Sequence, residues 1–281
     1  MTRPVSKLYI VATPIGNLKD ISLRALEILA SVDLVAAEDT RHTRRLLDHF
    51  EIKQKLIAFH DHNERRQTDL LIDRIKAGES VALVSDAGTP LISDPGFRLV
   101  RAARAAGVIV EAVPGASALT AALSVSGLPT DQFQFLGFLP AKGRASRLAD
   151  VSQYSGTLIL YEAPHRMASL LETVLDVLGS DRELVVCREL TKLYEQVVQG
   201  LAGDIRDQMT RGEIPARGEF VVLISGATVA QSFAQIELDD CLRLLISELP
   251  ISKAAELAAQ MLGLKRNLVY KRALALKAAV S

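Results

Sequence analysis

The chain has very few cysteines. Only Cys187 and Cys241 occur among 281 residues, and each lies in an apolar run far from the other. A disulfide framework or a zinc site normally shows several cysteines at close, regular spacing. Free cysteine usually behaves as a small buried hydrophobe. The sequence therefore favours two reduced, buried thiols.

An excess of charge is also missing. Lys and Arg together number 33, and so do Asp and Glu, which gives a formal net charge of zero. A strongly basic protein draws nucleic acid through its overall field, but this chain has no such field. Any contact with RNA must therefore come from local basic patches.

Long apolar runs are absent as well. No segment approaches the roughly 20 apolar residues of a membrane span, and no apolar stretch precedes the first strand-like run. About half of the residues are nevertheless apolar, enough to bury a large core in two or three domains. We expect a soluble, cytoplasmic protein.

Short β-branched runs alternate with amphipathic segments up to residue 113, and this alternation is typical of a parallel sheet with crossover helices. It predicts a five-stranded, doubly wound domain over residues 1–119. The predicted strands are 8–12, 33–37, 56–59, 81–85 and 108–113, and the predicted helices are 22–31, 40–50, 65–77 and 94–106.

A second alternating series follows a small-residue helix at 116–126 and predicts another α/β domain over residues 120–226. Its strands are predicted at 134–138, 157–161, 183–188 and 219–225, with helices at 164–178 and 201–211. Between its first two strands, residues 140–144 are polar, basic and glycine-containing. They predict a mobile loop leading into a short helix.

The β pattern stops after residue 227, and residues 227–281 predict a helical domain with helices at 238–249, 252–261 and 266–279. Gly263 lies in the short turn between the last two helices. This spacing is typical of a helix-turn-helix, and the last helix is basic. A small helical cap with a solvated basic face is an equally good interpretation.

Three glycine-containing turns follow predicted strands, at residues 13–17, 85–90 and 114–117. Open α/β sheets bind ligands at this edge, so a cofactor cleft is expected here. None of the turns has the G-x-G-x-x-G dinucleotide pattern or the phosphate loop G-x-x-x-x-G-K-[ST]. A ligand without a pyrophosphate is therefore favoured.

Several segments resemble the small-subunit ribosomal RNA methyltransferase I family, which belongs to the tetrapyrrole methylase superfamily. They are LYIVATPIGNL (8–18), AEDTRHT (37–43), HDHNE (60–64), SDAGTPLISDPG (85–96), GFLPAK (137–142), YEAPHR (161–166), RELTK (188–192) and GEFV (218–221). The resemblance implies a homodimer of two tetrapyrrole-methylase-type α/β domains with an interdomain cofactor cleft, plus a small C-terminal helical domain. It also implies 2′-O-methylation of a decoding-centre cytidine in 16S rRNA.

The resemblance further implies S-adenosylmethionine as the cofactor. The residues it places around the cofactor are Pro14, Gly16, Ser85, Asp86, Ala87, Gly88, Thr89, Pro114, Ala116, Ser117 and Tyr161. One departure is visible at Ala116-Ser117, where relatives would equally be expected to have Pro-Cys. Both pairs are small and keep the helix start close to the ligand, so the expected cofactor is unchanged.

For the chemistry we expect a carboxylate of the segment Glu38-Asp39-Thr40-Arg41, with Asp39 as the first choice, to accept a proton and Arg41 to hold a phosphate. The alternative is a helix N-cap at Asp39 or Thr40 with a solvated Arg41. His60, Asp61 and His62 suggest a metal, but His60 and His62 would point to opposite faces of an extended run and no fourth ligand lies near. No metal site is therefore predicted.

A nucleotide inside folded rRNA must be extruded to reach a cleft, and basic elements elsewhere must offset that cost. The residues expected to contact the substrate are Lys142, Arg144, His165, Arg166, Arg266 and Lys271. Two rival functions remain open from sequence. They are a tetrapyrrole methyltransferase with the same fold and cofactor, and a ribosome-binding factor without catalysis.

Overall fold

A computed structural model describes residues 6–227 and 229–278 of the chain, with the side chains of 229–237 and 278 excepted. Its first five strands form one parallel sheet in the order β3-β2-β4-β1-β5. The strands are β1 Leu8–Val11, β2 Leu34–Ala37, β3 Leu56–Ala58, β4 Val81–Val84 and β5 Val110–Val113. Each predicted strand of this domain is present, with ends displaced by at most two residues.

Alternate residues of these strands face opposite sides of the sheet, and each side is covered by helices. On one face, Tyr9 and Val35 pack with α1 and α2, whereas Leu8 and Leu34 pack on the other face with α3 and α4. The helices are α1 Leu23–Ser31, α2 Thr40–His49, α3 Glu64–Lys76 and α4 Phe97–Ala105. Because both faces are buried, the central strands are continuously apolar.

Helix α4 begins three residues later than the sequence predicts. The backbone turns through positive φ angles at Leu91 (73°), Ser93 (68°) and Gly96 (132°), so residues 94–96 do not adopt helical geometry. A Cβ built on Gly96 would lie 2.7 Å from Leu83 Cδ2, so glycine is required there for space as well as for φ. This turn lies at the edge of the candidate site.

The second sheet is mixed, in the order β6-β7-β10-β8-β9, with β6 parallel to β7 and the remaining pairs antiparallel. The strands are β6 Phe133–Phe138, β7 Thr157–Glu162, β8 Glu183–Arg188, β9 Gln196–Leu201 and β10 Phe220–Ile224. Edge strand β9 was not predicted. Its side chains are alternately half-buried and exposed, which leaves only a weak apolar signal.

Helices cover both faces of this sheet too. One face packs against α6 Arg144–Ala149, α7 Met167–Leu178 and α8 Ala202–Thr210, and the other against α5 Ala118–Val125. Ile15, from the loop after β1, is buried in the same cluster as α5. The two sheets therefore share an apolar contact, and the predicted α/β fold class is confirmed.

Three further helices, α9 Val229–Glu248, α10 Ile251–Leu262 and α11 Arg266–Ala278, pack around a small core that includes Leu242, Ala258 and Val269. Gly263 turns the chain between α10 and α11 with φ of 65°. The helix-turn-helix arrangement expected from sequence is present. No helix within the described ranges is long and apolar enough to span a membrane.

The two cysteines differ in their surroundings. Cys187 on β8 is fully buried, and this burial raises the pKa of its thiol to about 12. Cys241 on α9 is half-buried against the helical core. Both are free thiols, and the predicted burial is complete for Cys187 but partial for Cys241.

Candidate active site

A cavity of about 370 Å³ lies between the two sheets. It opens beside the carboxyl ends of β1, β2 and β4, the edge at which parallel sheets bind ligands. Its lining comes from both halves of the chain: Ile15, Glu38, Asp86, Ala87, Gly88, Thr89, Ile92, Ser93, Asp94, Ser117, Ala118, Phe138, Tyr161, Glu162, Ala163, Pro164, Cys187, Leu190, Gly218, Glu219, Phe220 and Val221.

The three turns predicted from sequence meet at this cavity. Thr13 and Gly88 exchange backbone hydrogen bonds of 2.9 and 3.0 Å, which joins the first turn to the second. The Thr89 hydroxyl donates to the carbonyl of Ala116 at 3.1 Å, which joins the second turn to the third. Gly88 has φ of 81° and lines the cavity, while its N–H and C=O are both engaged with Thr13.

Tyr161 closes the cavity from the second sheet. Its hydroxyl accepts a hydrogen bond of 3.0 Å from the backbone N–H of Leu119, at the start of α5. Its ring packs edge-on against Phe135 and Phe138, at centroid distances of 4.9 and 5.6 Å. Burial raises the pKa of the phenol, which is therefore kept neutral. The contacts fix one orientation of the ring.

The expected cofactor residues divide into two groups. Asp86, Ala87, Gly88, Thr89, Ser117 and Tyr161 line the cavity. The remaining five, Pro14, Gly16, Ser85, Pro114 and Ala116, lie in the same turns behind or beside its wall. Ser85 is buried, whereas Pro114 is exposed and Gly16 faces Lys192 of the second domain.

Two further carboxylates stand in the wall: Glu38, which belongs to the predicted segment Glu38–Arg41, and Asp94, which the sequence did not single out. Burial raises the pKa of Glu38, which follows β2. The pKa of Asp94 is raised to about 7, first by burial and then by the negative charges of Glu38 and Asp86, although a hydrogen bond from Ser85 opposes the shift. The turn at residues 85–90 is predicted to border a cleft, but residues 91–96 match the family motif only, and their spacing does not indicate a cavity.

Asp39 and Arg41 lie outside the lining. Asp39 is the N-cap of α2, accepting the backbone N–H of Arg41 at 2.8 Å, and it also pairs with the exposed Arg41 guanidinium at 2.8 Å. These two hydrogen bonds hold the pKa of the Asp39 carboxyl far below its usual value. The arrangement is the N-cap alternative, and so low a pKa makes a weak proton acceptor.

Arg144 and Arg166 both pair with one buried carboxylate. Arg144 is only 6% exposed and bridges the buried Glu162 at 3.1 Å, while its Nη1 donates to Ser169 at 2.7 Å. Arg166 pairs with the same carboxylate at 3.1 Å and donates to the carbonyl of Leu139. A buried carboxylate requires partners of this kind, so both guanidinium groups face inward.

The other basic candidates are on the surface. Lys142 and His165 are exposed near the second sheet, and Arg266 and Lys271 are exposed on α11. His60 and His62 have ring centroids 5.9 Å apart. Over the described part of the chain, no group of three or more His, Cys, Asp or Glu side chains could hold a metal ion.

Two family descriptions match this chain. The model described as "Tetrapyrrole (Corrin/Porphyrin) Methylases" matches residues 7–206, and the "RsmI C-terminal HTH domain" matches residues 234–277. A protein of Pseudomonas aeruginosa named ribosomal RNA small subunit methyltransferase I is 52% identical over 271 residues, covering 95% of this chain and 96% of its own length. The chain belongs to this methyltransferase I family.

Other methyltransferase I relatives agree. The protein of that name from Escherichia coli O157:H7 is 47% identical over 95% of this chain and 94% of its own length. That from Haemophilus influenzae is 45% identical over 98% and 99%. Because these matches span nearly the whole of each chain, the methyltransferase I family accounts for all three parts of the molecule.

Solved structures share the fold. A uroporphyrin-III-C-methyltransferase from Thermus thermophilus has a TM-score of 0.57 and 22% identity, covering 78% of this chain and 94% of its own. A diphthine synthase has a TM-score of 0.62 and 17% identity, covering 79% and 90%. At such identities the likeness shows the fold of the methyltransferase I chain and no more.

The cavity has the features that S-adenosylmethionine requires. Its volume is within the range of small-molecule sites, and apolar side chains such as Ile15, Phe138 and Leu190 offer a surface for a purine. Glu38 and Asp86 supply acceptors for hydroxyl groups and negative charge opposite a cation. The residues present therefore fit the cofactor implied by membership of the methyltransferase I family.

Proposed function

We propose that this protein transfers the methyl group of S-adenosylmethionine to the ribose 2′-hydroxyl of a decoding-centre cytidine in 16S rRNA. The observation that carries the proposal is the near full-length identity with proteins named ribosomal RNA small subunit methyltransferase I. The preformed cavity where three turns meet supports it, because methyl transfer requires a site that fixes both reactants.

The cofactor is assigned to the cavity-lining residues of the three turns. Asp86 and Thr89 offer side-chain oxygens, Gly88 leaves room for a ligand because it has no side chain, and Ser117 and Tyr161 close the far side. Ser85 and Ala116 support these turns from behind through backbone and hydroxyl hydrogen bonds. When bound, S-adenosylmethionine supplies an activated methyl group on a sulfonium.

Rate acceleration then depends on positioning. In-line transfer needs the ribose oxygen, the methyl carbon and the sulfur held together, and such alignment is worth on the order of several kcal/mol. The Tyr161 hydroxyl bond to Leu119 and the Thr13–Gly88 bridge make the cavity wall rigid. The protein thus accelerates the reaction mainly by holding both reactants in fixed positions.

RNA binding is assigned to exposed basic side chains on two parts of the chain. Lys142 lies close in sequence to the cavity-lining Phe138, and Arg266 and Lys271 lie on the exposed side of α11. With a net charge of zero, these local patches must provide the phosphate contacts. We assign the substrate as an assembled small subunit, the enzyme as a homodimer, and its location as the cytoplasm.

The test is transfer of labelled methyl from S-adenosylmethionine to small ribosomal subunits prepared from a strain that lacks this gene. Mapping of the labelled nucleotide to a ribose-methylated cytidine establishes the function. Cofactor binding without RNA labelling points instead to a tetrapyrrole substrate. Absence of both would leave a ribosome-binding factor. Equal labelling of naked 16S rRNA would refute the preference for an assembled particle.

A further inference from the structure

The turn that carries Asp94 has an unusual backbone. Leu91 and Ser93 have φ angles of 73° and 68°, in the left-handed region that non-glycine residues rarely adopt, and Gly96 has φ of 132°. Strained backbone of this kind persists only where the surroundings enforce it, and it gathers at functional sites. Ile92, Ser93 and Asp94 of this turn all line the cavity.

Contacts from both sides hold the turn in place. The buried carboxylate of Glu64 on α3 accepts backbone N–H groups of Gly96 and Arg98, each at 3.1 Å, and so caps the start of α4. On the other side, the Ser93 hydroxyl lies against Gly137 of β6, where a Cβ would come within 3.3 Å of it. Asp94 is therefore held between the two sheets at a fixed position.

The groups around Asp94 are acidic or neutral. Glu38 follows β2, Asp86 follows β4, Asp61 lies in the loop after β3, and the neutral Tyr161 faces it from β7. Glu219 and Glu162 also line the cavity, and the charge of Glu162 is neutralised by Arg144 and Arg166. The charge of His60 acts to lower the pKa of Glu38. No Lys or Arg of the described chain lines the cavity.

Neighbouring carboxylates are engaged differently. An oxygen of Asp86 accepts the backbone N–H of Asp39 at 3.0 Å, and an oxygen of Glu38 faces the N–H of Asp86 at 3.4 Å. These bonds tie the ends of β2 and β4 together. Within the described part of the chain, Ser85 is the one hydrogen-bond partner that acts on the Asp94 carboxyl. Its carboxylate is the one available to a substrate hydroxyl.

We propose that Asp94 is the proton acceptor for the attacking ribose hydroxyl, an inference that rests on the proposed function. The O–H bond breaks and its proton passes to the Asp94 carboxylate. An oxygen–methyl bond forms while the carbon–sulfur bond breaks, and that electron pair stays on sulfur, which becomes neutral. The protonated Asp94 afterwards releases its proton to water.

The electrostatic setting suits the role. A general base works best when its pKa lies near the working pH, and burial among like charges has raised the pKa of Asp94 to about 7. Ordinary carboxylates are much weaker bases. Asp39, with its lowered pKa and its pairing to Arg41, is poorly suited by the same criterion.

The decisive experiment compares wild type, Asp94→Asn and Asp61→Asn in methyl transfer to small subunits across pH 5 to 9, with cofactor affinity measured by calorimetry. Loss of a general base costs on the order of 10²–10⁴-fold in rate. We expect Asp94→Asn to lose at least about 10²-fold in kcat while its cofactor Kd changes by less than about threefold. Wild-type kcat should fall as pH drops below about 7.

Asp61→Asn is the matched control, since it removes a nearby negative charge outside the cavity lining. It should stay active, and the fall of its kcat at acidic pH should begin at a lower pH than in wild type. Asp94→Glu should keep part of the activity and the acid limb, which covers the case in which the asparagine variant does not fold.

Two results would overturn the role of Asp94. The first is an unchanged kcat in Asp94→Asn. The second is a loss of activity explained wholly by weaker cofactor binding, which would make Asp94 a cofactor ligand. In both, wild type still methylates the subunit and the proposed function stands. If wild type transfers no methyl group to rRNA, the proposed function itself fails.

Discussion

The hydroxyl of Thr191 accepts a hydrogen bond of 3.2 Å from the backbone N–H of Asn17. This bond joins the loop after β1 to the turn between β8 and β9, so it ties the two sheets together beside the cavity. The next residue, Lys192, packs over Gly16 and pairs with Glu219 of the cavity wall at 2.9 Å. Glycine is therefore needed at position 16 because a side chain there would push Lys192, and with it the second domain, away from the loop after β1.

Replacing Gly16 with alanine should weaken this contact. The new Cβ would collide with Lys192 Cγ, and overpacking of this kind costs about 1–3 kcal/mol. We expect a lower midpoint of urea unfolding and weaker cofactor binding in Gly16→Ala. Gly203→Ala is the control, because its nearest neighbour is 3.6 Å away and it lies in α8, where alanine is favoured. Equal effects of the two would contradict the interpretation.

Arg144 should matter for stability and not for RNA binding. Removing one partner of a buried ion pair typically costs about 3–5 kcal/mol, because the other charge is left without compensation. Arg144→Met should therefore lower the free energy of unfolding by about that amount through Glu162. Arg147→Met, on the exposed side of the same helix, should change it by less than about 0.5 kcal/mol.

Lys271 and Arg272 are adjacent basic residues with different surroundings. Both are exposed, but Arg272 pairs with Asp239 at 2.6 and 2.8 Å and thereby lowers the pKa of that carboxyl. Lys271→Gln should weaken binding to small subunits and reduce the salt dependence of binding by about one charge. Arg272→Gln should leave the salt dependence of binding unchanged and lower thermal stability instead. The reverse pattern would remove α11 from the RNA interface.

Asp94 should also leave a signature in the pH dependence of stability without any cofactor. Because its pKa is raised to about 7 in the folded protein, the folded state holds a proton that the unfolded state has lost between about pH 4 and 7. Stability therefore falls as pH rises through this window. Asp94→Asn should be more stable than wild type at pH 8, and this advantage should disappear at pH 4. Parallel stability curves would show that the carboxyl is not perturbed.

Sequence patterns were sufficient for local structure. The predicted strands of both sheets are present because β-branched runs bounded by turn residues specify them without distant partners. Edge strand β9 was missed because one of its faces is open to solvent and its apolar pattern is weak. The start of α4 was placed too early because the positive φ angles at Leu91 and Ser93 depend on tertiary contacts.

The sequence by itself determined the alternation of strands and helices, the three turns that meet at the cavity, the helix-turn-helix and, through its motifs, the family. Only the tertiary structure decided which polar groups share an environment. Arg144 became a buried partner of Glu162, and Asp94 came to face Glu38 and Asp86. Burial and charge–charge interaction depend on distance in space, and these residues meet only when separate strands and loops are packed together.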